Sequence, residues 1–138
     1  MIDYSKNIEL HLDFLMRKLI LRIHEKKLVL NLKETETASI IYNAVPISSS
    51  INTWGEEIYF STNLSIKIEK DAKAIVDFGE IAFWTEGSSI AIGYGKTPIS
   101  ENDEIRLAAP CNIWATSNFE KCFFEDIRDG DKIYLDKH

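Results

Sequence analysis

The chain has few of the residues that build disulfide networks, metal sites and flexible linkers. Its 138 residues include two cysteines, three histidines, three prolines and six glycines. The spacing of Cys111 and Cys122 fits no CxxC redox or zinc pattern, and no HxH, HxxxH or HExxH motif is present. We therefore predict no metal site and two reduced thiols buried in the core.

Long apolar segments are also missing. No run of about 18 residues is apolar enough to span a bilayer, and the longest uncharged run, residues 37–55, contains Pro46, four serines and Asn52. The N-terminus lacks the basic region, apolar stretch and small-residue cleavage site of a secretory signal. These absences predict a cytoplasmic protein with no membrane partner.

Acidic residues outnumber basic residues. Sixteen Lys and Arg residues stand against 22 Asp and Glu residues, for a net charge of −6. Proteins that bind nucleic acid need basic surfaces to displace counterions from phosphates, so we expect no nucleic-acid partner. Six of the basic residues fall within residues 17–33 beside a single Glu. This contrast with the acidic remainder would let copies of the chain associate head to tail, so a homo-oligomer is one expectation.

Alternation of apolar and polar residues dominates what the sequence does contain. Residues 19–23 and 28–32 alternate around a turn at Glu25 and Lys26, which predicts a hairpin. Further strands are predicted within residues 56–60, 64–68, 81–83, 90–94, 113–115 and 133–135. Seven to nine short strands in one chain of this length predict a single domain that is mainly β, an antiparallel or mixed β-barrel.

Two short helices interrupt this pattern. Thr35 is a suitable N-cap for the first helix, and Pro46 stops it. The second is predicted between Phe119 and Ile127. Residues 1–15 satisfy strand and helix periodicities equally, so we assign them to an N-terminal appendage of either structure, and residues 16–138 to the barrel domain.

The Gly-Lys-Thr sequence at residues 95–97 resembles part of a phosphate-binding loop. That motif also needs a glycine at position 90 and a helix after the loop, whereas Ile90 occupies the position and Pro98 follows the loop. We interpret the segment as a bend leaving a strand, with Lys96 facing solvent.

Glu56 and Glu57 stand beside Trp54 at the head of a predicted strand. Neighbouring strand residues face opposite sides, so at most one of the two carboxylates enters a pocket. A carboxyl packed against an indole can have a raised pKa and act as a general acid or base. Alternatively, both are edge charges that prevent aggregation through strand pairing.

Aromatic residues beside glycines or turns are the remaining signal: Trp54, Tyr59, Trp84 and Tyr94. Such rings line concave ligand sites, where they offer apolar area and one hydrogen-bond donor. They equally often plug the end of a small barrel, and the sequence leaves both interpretations open.

Three segments carry a family resemblance: NTWGEEIYFST at 52–62, GEIAFW at 79–84 with Gly87, and GKTP at 95–98. In this order and at these separations they resemble the small prokaryotic cyclophilin-like proteins, over residues 16–135. The resemblance implies a closed cyclophilin-like β-barrel with a short helix near each end.

The resemblance does not bring prolyl isomerase activity with it. True cyclophilins use an arginine set among Phe, Gln and His residues in motifs such as FHR and QGGD. This chain has no Gln, no FHR and four arginines outside any matching context; Arg106 is the nearest substitute.

We therefore predict a binding protein rather than an enzyme, without a cofactor, that holds a small molecule or a peptide segment in a surface groove. Indoles would stack on the ligand, and Glu56 and Lys96 would bind its polar groups. The predicted lining is Asn52, Trp54, Glu56, Tyr59, Trp84, Lys96 and Thr97. Alternatives are a weak or specialised prolyl isomerase, acid–base chemistry by Glu56, and a scaffold or subunit that docks through residues 1–15.

Overall fold

The computed structural model describes residues 17–138, so the predicted appendage at residues 1–15 lies outside the described residues. The described part is mainly β with one α-helix and one 3₁₀ helix, which confirms the predicted fold class with two short helices. The elements are β1 Lys18–Ile23, β2 Lys26–Leu32, α1 Glu36–Ala44, β3 Ile47–Thr53, β4 Glu57–Ser61, β5 Lys73–Val76, β6 Glu80–Trp84, β7 Ser89–Gly93, β8 Ile105–Thr116, a 3₁₀ helix Lys121–Phe124 and β9 Lys132–Lys137.

Eight of these strands form a ring. They pair antiparallel in the order β2-β1-β9-β3-β4-β7-β6-β8, and a further pairing of Leu32 with Ala115 joins β2 to β8. The long strand β8 belongs to the ring only through its second half, where it pairs with β6. Its first half pairs with β5, from Val76 opposite Ile105 to Lys73 opposite Cys111. We call β5 together with residues 105–111 the cover strands.

The main core fills the inside of the ring, because every second residue of each strand points inward. Leu19, Leu21 and Ile23 of β1 are fully buried, as the predicted hairpin requires. Trp114 on β8 is also fully buried. Each such side chain contributes on the order of 1.5–3 kcal/mol through removal of apolar surface from water.

The helix α1 begins and ends where the sequence predicts. The hydroxyl of Thr35 accepts a hydrogen bond from the Ala38 amide at 3.0 Å, which satisfies one of the free amides of the first turn. Ala38 and Ile41 are fully buried against the main core. The helix ends at Ala44, just before Pro46.

The predicted strand over residues 64–68 is wrong. Side-chain hydrogen bonds from Asn112 hold this segment in place of a strand ladder. The Asn112 amide donates to the Lys67 carbonyl at 2.9 Å and accepts from the Glu69 amide at 2.8 Å. Ile68, at the end of this segment, is 58% exposed.

Both thiols are free, but the prediction that both are buried holds only for Cys111. Cys122 lies on the 3₁₀ helix two residues before the buried Phe124. Residues two apart on a helix face different directions, and Cys122 is exposed.

Across residues 17–138, no helix combines the length and apolar character needed to cross a bilayer.

Candidate functional site

The β3–β4 hairpin carries four side chains on its outer face. Asn52 pairs with Tyr59, and the Trp54 amide donates to the Glu57 carbonyl at 2.9 Å. Cross-strand partners share a face, so Asn52, Trp54, Glu57 and Tyr59 lie together outside the ring. Their neighbour Ile58 is fully buried on the inner face.

The outer face continues across the neighbouring strands through small residues. Tyr59 of β4 pairs with Ala91 of β7, which pairs with Ala82 of β6. The half-buried rings of Tyr59 and Trp84 pack against a second apolar cluster on this side. That cluster comprises Val76, Ala82, Ala91, Ile105, Leu107 and Cys111. The outer face is therefore apolar and partly overlaid by the cover strands.

Gly93 allows the cover strands to approach closely. A Cβ atom at Gly93 would lie 2.5 Å from Cγ2 of Ile105 and 3.5 Å from Cδ2 of Leu107. Ile105 thus occupies the space that any larger residue at position 93 would need. Gly93 pairs with Glu57, and the Glu57 carboxylate is near enough to raise the pKa of the Cys111 thiol on β8, so this carboxyl group lies beside the cover strands.

Glu57 is a buried acid on the outer face. Only 6% of its surface is exposed, and within residues 17–138 no donor reaches its buried Oε1 atom. Burial removes water from the charged form and raises the pKa of Glu57 to about 7. The carboxyl group therefore changes its charge near neutral pH.

Cys111 shares this environment. Burial, with a smaller contribution from the nearby Glu57 carboxylate, raises the pKa of the Cys111 thiol to about 12. The thiolate is the nucleophilic form of cysteine. At neutral pH Cys111 is therefore an apolar part of the second cluster.

The other acid of the pair, Glu56, is an ion-pair residue at the surface. Its carboxylate lies 2.7 Å from Lys121 Nζ and accepts a hydrogen bond from the Lys96 amide at 3.2 Å. The Lys121 contact is the largest influence on the pKa of Glu56, which is lowered. The expectation of a raised pKa thus applies to Glu57 and is wrong for Glu56, because strand alternation directs Glu57 alone under the cover strands.

The NTWGEE segment at residues 52–57 and the GKTP segment at residues 95–98 meet. We call residues 54–57 together with residues 94–98 the double loop. The Glu56 amide donates to the Lys96 carbonyl at 2.8 Å, and the Tyr94 amide donates to the Glu56 carbonyl at 2.8 Å. Gly55 adopts φ +60°, and a Cβ there would lie 2.8 Å from Cδ of Pro98. The NTWGEE and GKTP segments are therefore two sides of a single close contact.

Thr97 and Lys96 differ in exposure within this loop. Thr97 is buried; its amide donates to Ser100 Oγ at 2.9 Å, and its hydroxyl donates to the Arg106 carbonyl. Thr97 therefore holds the loop in place instead of lining a groove. Lys96 is exposed, with Nζ 3.9 Å from Asp103 Oδ1.

The structure divides the seven predicted residues into two groups. Asn52, Trp54, Tyr59 and Trp84 belong to the outer face, whereas Glu56, Lys96 and Thr97 belong to the double loop. Trp84 pairs with Ser89, at the far end of β7 from Gly93, which is about 13 Å away at ~3.3 Å per residue. The two indoles therefore cannot stack on the same ligand ring.

Arg106 is occupied by a carboxylate. Its Nε donates to Glu104 Oε1 at 2.6 Å and its Nη2 donates to Glu104 Oε2 at 3.3 Å. This two-pronged pair holds the guanidinium in a fixed orientation.

Sequence reasoning missed the importance of Glu57 and the cover strands. The alternation of Glu57 and Tyr59 with Ile58 and Phe60 does indicate a strand with two distinct faces. It does not show that residues 105–111, some fifty positions later, would enclose one of those faces.

Two surface clefts lie elsewhere. One of about 410 Å³ is lined by Ala44, Pro46, Ile47, Ser48, Ser49, Ser61, Thr62, Asn63 and Leu64. The other, of about 420 Å³, is lined by Phe78, Ser117, Asn118, Phe119 and Glu120. Neither includes a predicted site residue. No group of three or more His, Cys, Asp or Glu side chains among the described residues could hold a metal ion.

Comparison with known proteins gives two findings. A family model described as cyclophilin-like matches residues 17–136. The solution structure of a hypothetical protein from Archaeoglobus fulgidus is similar with a TM-score of 0.77 and 31% sequence identity, over 90% of this chain and 96% of that chain. No curated protein matches the sequence.

Proposed function

The chain belongs to the cyclophilin-like family, and we propose that it binds a small molecule or a peptide segment in a groove on the outer face of its ring. The groove would run between the β3–β4 hairpin and the cover strands. Trp54 and Tyr59 would supply its aromatic wall, Asn52 a polar side-chain amide, and Glu57 the polar group at its floor. Trp84 would mark its far end.

The observation that carries this proposal is Glu57, a carboxyl group buried in an apolar face without a donor among the described residues. Leaving a buried polar atom without a partner costs on the order of 1–3 kcal/mol. Such costs concentrate at functional sites, where a ligand offsets them. Half-buried aromatic rings on the same face add apolar area for a ligand to cover.

The double loop would support this site from one end. Glu56 and Thr97 join residues 54–57 to residues 94–106 through backbone and side-chain hydrogen bonds. These hydrogen bonds hold the backbone at Trp54 in place. A ring that is already held in position loses less entropy when a ligand binds. Lys96 would offer an exposed charge at the groove entrance.

Amide-resolved NMR with a library of small fragments and capped tripeptides tests the proposal. We expect binders to shift amide signals within residues 52–59 and 80–93. Shifts centred on the Ser48–Asn63 cleft or the Phe78–Phe119 cleft would place ligand binding elsewhere and overturn the proposal, as would a complete lack of binders. Native mass spectrometry of the purified protein is the complementary measurement, because a tightly held ligand appears as added mass.

Prolyl isomerisation would need a guanidinium that is free to bind the substrate. The two-pronged contact with Glu104 engages Arg106, the arginine nearest to a cyclophilin-type donor. Scaffolding through residues 1–15 and head-to-tail association of copies stay predictions from the sequence. The mass of the full chain in solution tests association, and the change in that mass when residues 1–15 are deleted tests scaffolding.

A further inference from the structure

Within residues 17–138, Glu57 has no positive partner, and no hydrogen-bond donor reaches its buried Oε1 atom. The basic side chains around the outer face contact other carboxylates: Lys121 contacts Glu56 at 2.7 Å, Arg106 contacts Glu104 at 2.6 Å and Lys73 contacts Glu80 at 2.8 Å. Burial is the cause of the raised pKa of Glu57. Within the described part of the chain, this carboxylate is therefore not neutralised by any residue.

The described elements packed around Glu57 carry two charged residues, Lys73 and Arg106, and each of them contacts a different carboxylate. Strand β3 contributes Asn52 and Trp54, and β7 contributes Gly93 and Ala91. The cover strands contribute Ile105, Leu107, Val76 and Cys111. Tyr59, two residues along β4, and Cys111 are the other titratable neighbours among these described residues. The burial-raised pKa of Cys111, about 12, keeps that thiol neutral over the physiological range.

Aromatic rings flank the same carboxyl group. Trp54 lies directly across the hairpin from Glu57, and Tyr59 lies on the same face two residues further along the strand. Both are half-buried, so part of each side chain is available to a ligand. The π faces of Trp and Tyr attract cations, most strongly where water is excluded. A buried carboxylate beside two such rings therefore suits one class of ligand group.

Resting on the proposed function, we infer that the ligand bound in this groove carries a protonated amine, which binds the Glu57 carboxylate and packs against Trp54 and Tyr59. The ammonium group would supply both the missing donor and the missing charge, in a charge-assisted hydrogen bond. A small alkylamine and the side chain of a lysine-containing peptide share this chemistry, and separate probes distinguish them.

This assignment has a direct consequence for pH dependence. The ammonium group binds the ionised carboxylate, whereas Glu57 in the free protein is protonated below about pH 7. Binding therefore releases a proton below that pH, and the affinity falls as the pH falls. We expect the amine Kd to be about tenfold higher at pH 6 than at pH 8 and to level off above pH 8.

Titration calorimetry of the full chain with matched probes tests the inference. The cationic probes are n-butylamine and N-acetyl-lysine methylamide. Their neutral counterparts are 1-butanol and N-acetyl-norleucine methylamide. At pH 8 we expect at least one cationic probe to bind about tenfold more tightly than its neutral counterpart. The probe with the larger difference identifies the source of the amine.

Two variants assign the effect to one carboxylate. Glu57→Gln keeps the shape of the side chain and should abolish both the preference for cations and its pH dependence. Glu56→Gln, which removes the neighbouring surface carboxylate, should preserve both. The pH series on the unmodified protein gives an independent answer if Glu57→Gln fails to fold.

The outcomes separate the inference from the proposed function. Equal binding of neutral and cationic probes, with shifted amide signals on the outer face, would overturn the inference and leave the groove intact. Loss of cation binding in Glu56→Gln instead of Glu57→Gln would also overturn it. If none of the probes shifts signals on the outer face, the inference is wrong; if the fragment library shifts none there either, the proposed groove is wrong too.

Discussion

Glu56 and Glu57 are adjacent in sequence, yet their carboxylates lie in opposite environments. Glu56 contacts Lys121 Nζ at 2.7 Å at the surface, whereas Glu57 is buried beneath the cover strands without a donor among residues 17–138. The cause is the alternation of side chains at the start of β4. Two chemically identical groups therefore have pKa values shifted in opposite directions.

Replacing Glu57 with glutamine should stabilise the protein at pH 8. The carboxyl group ionises at its usual pKa of 4.5 in the unfolded chain and at about 7 in the folded protein. Between these values the folded protein binds more protons, so the free energy of unfolding decreases as the pH rises. The loss approaches about 3 kcal/mol above pH 7, and Glu57→Gln should recover much of it.

Urea unfolding at pH 5 and pH 8 measures this effect. The advantage of Glu57→Gln over the unmodified protein should be about 2 kcal/mol larger at pH 8 than at pH 5. Glu56→Gln serves as the control and should change the free energy of unfolding by less than about 1 kcal/mol, since it removes a surface ion pair. An advantage independent of pH would contradict the assigned burial of Glu57.

Alanine at Gly55 should be costly because two effects act together. Gly55 has φ +60°, and a Cβ there would lie 2.8 Å from Pro98 Cδ and 2.9 Å from the Lys96 carbonyl oxygen. Gly130 also has a positive φ, of +90°, but a Cβ there would have no atom of the described residues within 4 Å. Gly130→Ala therefore measures the backbone cost alone, about 1 kcal/mol.

We expect Gly55→Ala to lower the free energy of unfolding by at least about 1 kcal/mol more than Gly130→Ala. Chemical denaturation of both variants gives the comparison. Equal losses would mean that the double loop opens at little cost. The proposal that this loop holds the backbone at Trp54 in place would then be wrong.

Alanine at Gly93 should displace the cover strands. Its Cβ would lie 2.5 Å from Ile105 Cγ2, and the strain should fall when Ile105→Ala removes that methyl group. In a double-mutant cycle measured by urea unfolding, the two changes should be less costly together than the sum of the single changes, by about 1 kcal/mol. Additive losses would contradict close packing of Ile105 over Gly93.

Alanine substitutions at Trp54 and Trp114 should distinguish a residue needed for binding from a residue needed for folding. Trp114 is fully buried in the core, so Trp114→Ala should cost about 3–5 kcal/mol. Trp54→Ala should retain the native fold in circular dichroism while losing the amide shifts caused by whichever cationic probe, n-butylamine or N-acetyl-lysine methylamide, binds the unmodified protein. Global unfolding of Trp54→Ala would instead support the interpretation of this ring as a structural plug.

A proline tetrapeptide assay should show no isomerisation above the uncatalysed rate. Catalysis by a cyclophilin needs a free guanidinium at the prolyl bond, and the Glu104 carboxylate holds that of Arg106. Turnover that disappears in Arg106→Ala would contradict this prediction. Turnover that persists in that variant would indicate contamination or a different donor.

The local sequence pattern alone determined the first hairpin and the first helix of this protein. Alternation at residues 19–23 and 28–32 correctly predicted a hairpin with one inward face, and Thr35 and Pro46 bounded the first helix. These features depend on side-chain period and cap chemistry, which act over a few residues. The family segments also pointed to a mainly β fold, which the family match and the structure confirm.

Only the tertiary structure decided which surface became a candidate site. Residues 64–68 alternate as a strand would, yet the segment is held by side-chain hydrogen bonds with the distant Asn112 and has no strand partner among the described residues. The burial of Glu57 likewise belongs to the fold, in which its strand partner Gly93 is covered by Ile105. Periodicity identifies the two faces of a strand, but burial of a face is set by contacts between residues far apart in the chain. For that reason the sequence pointed to the pair of acids, and the fold selected Glu57.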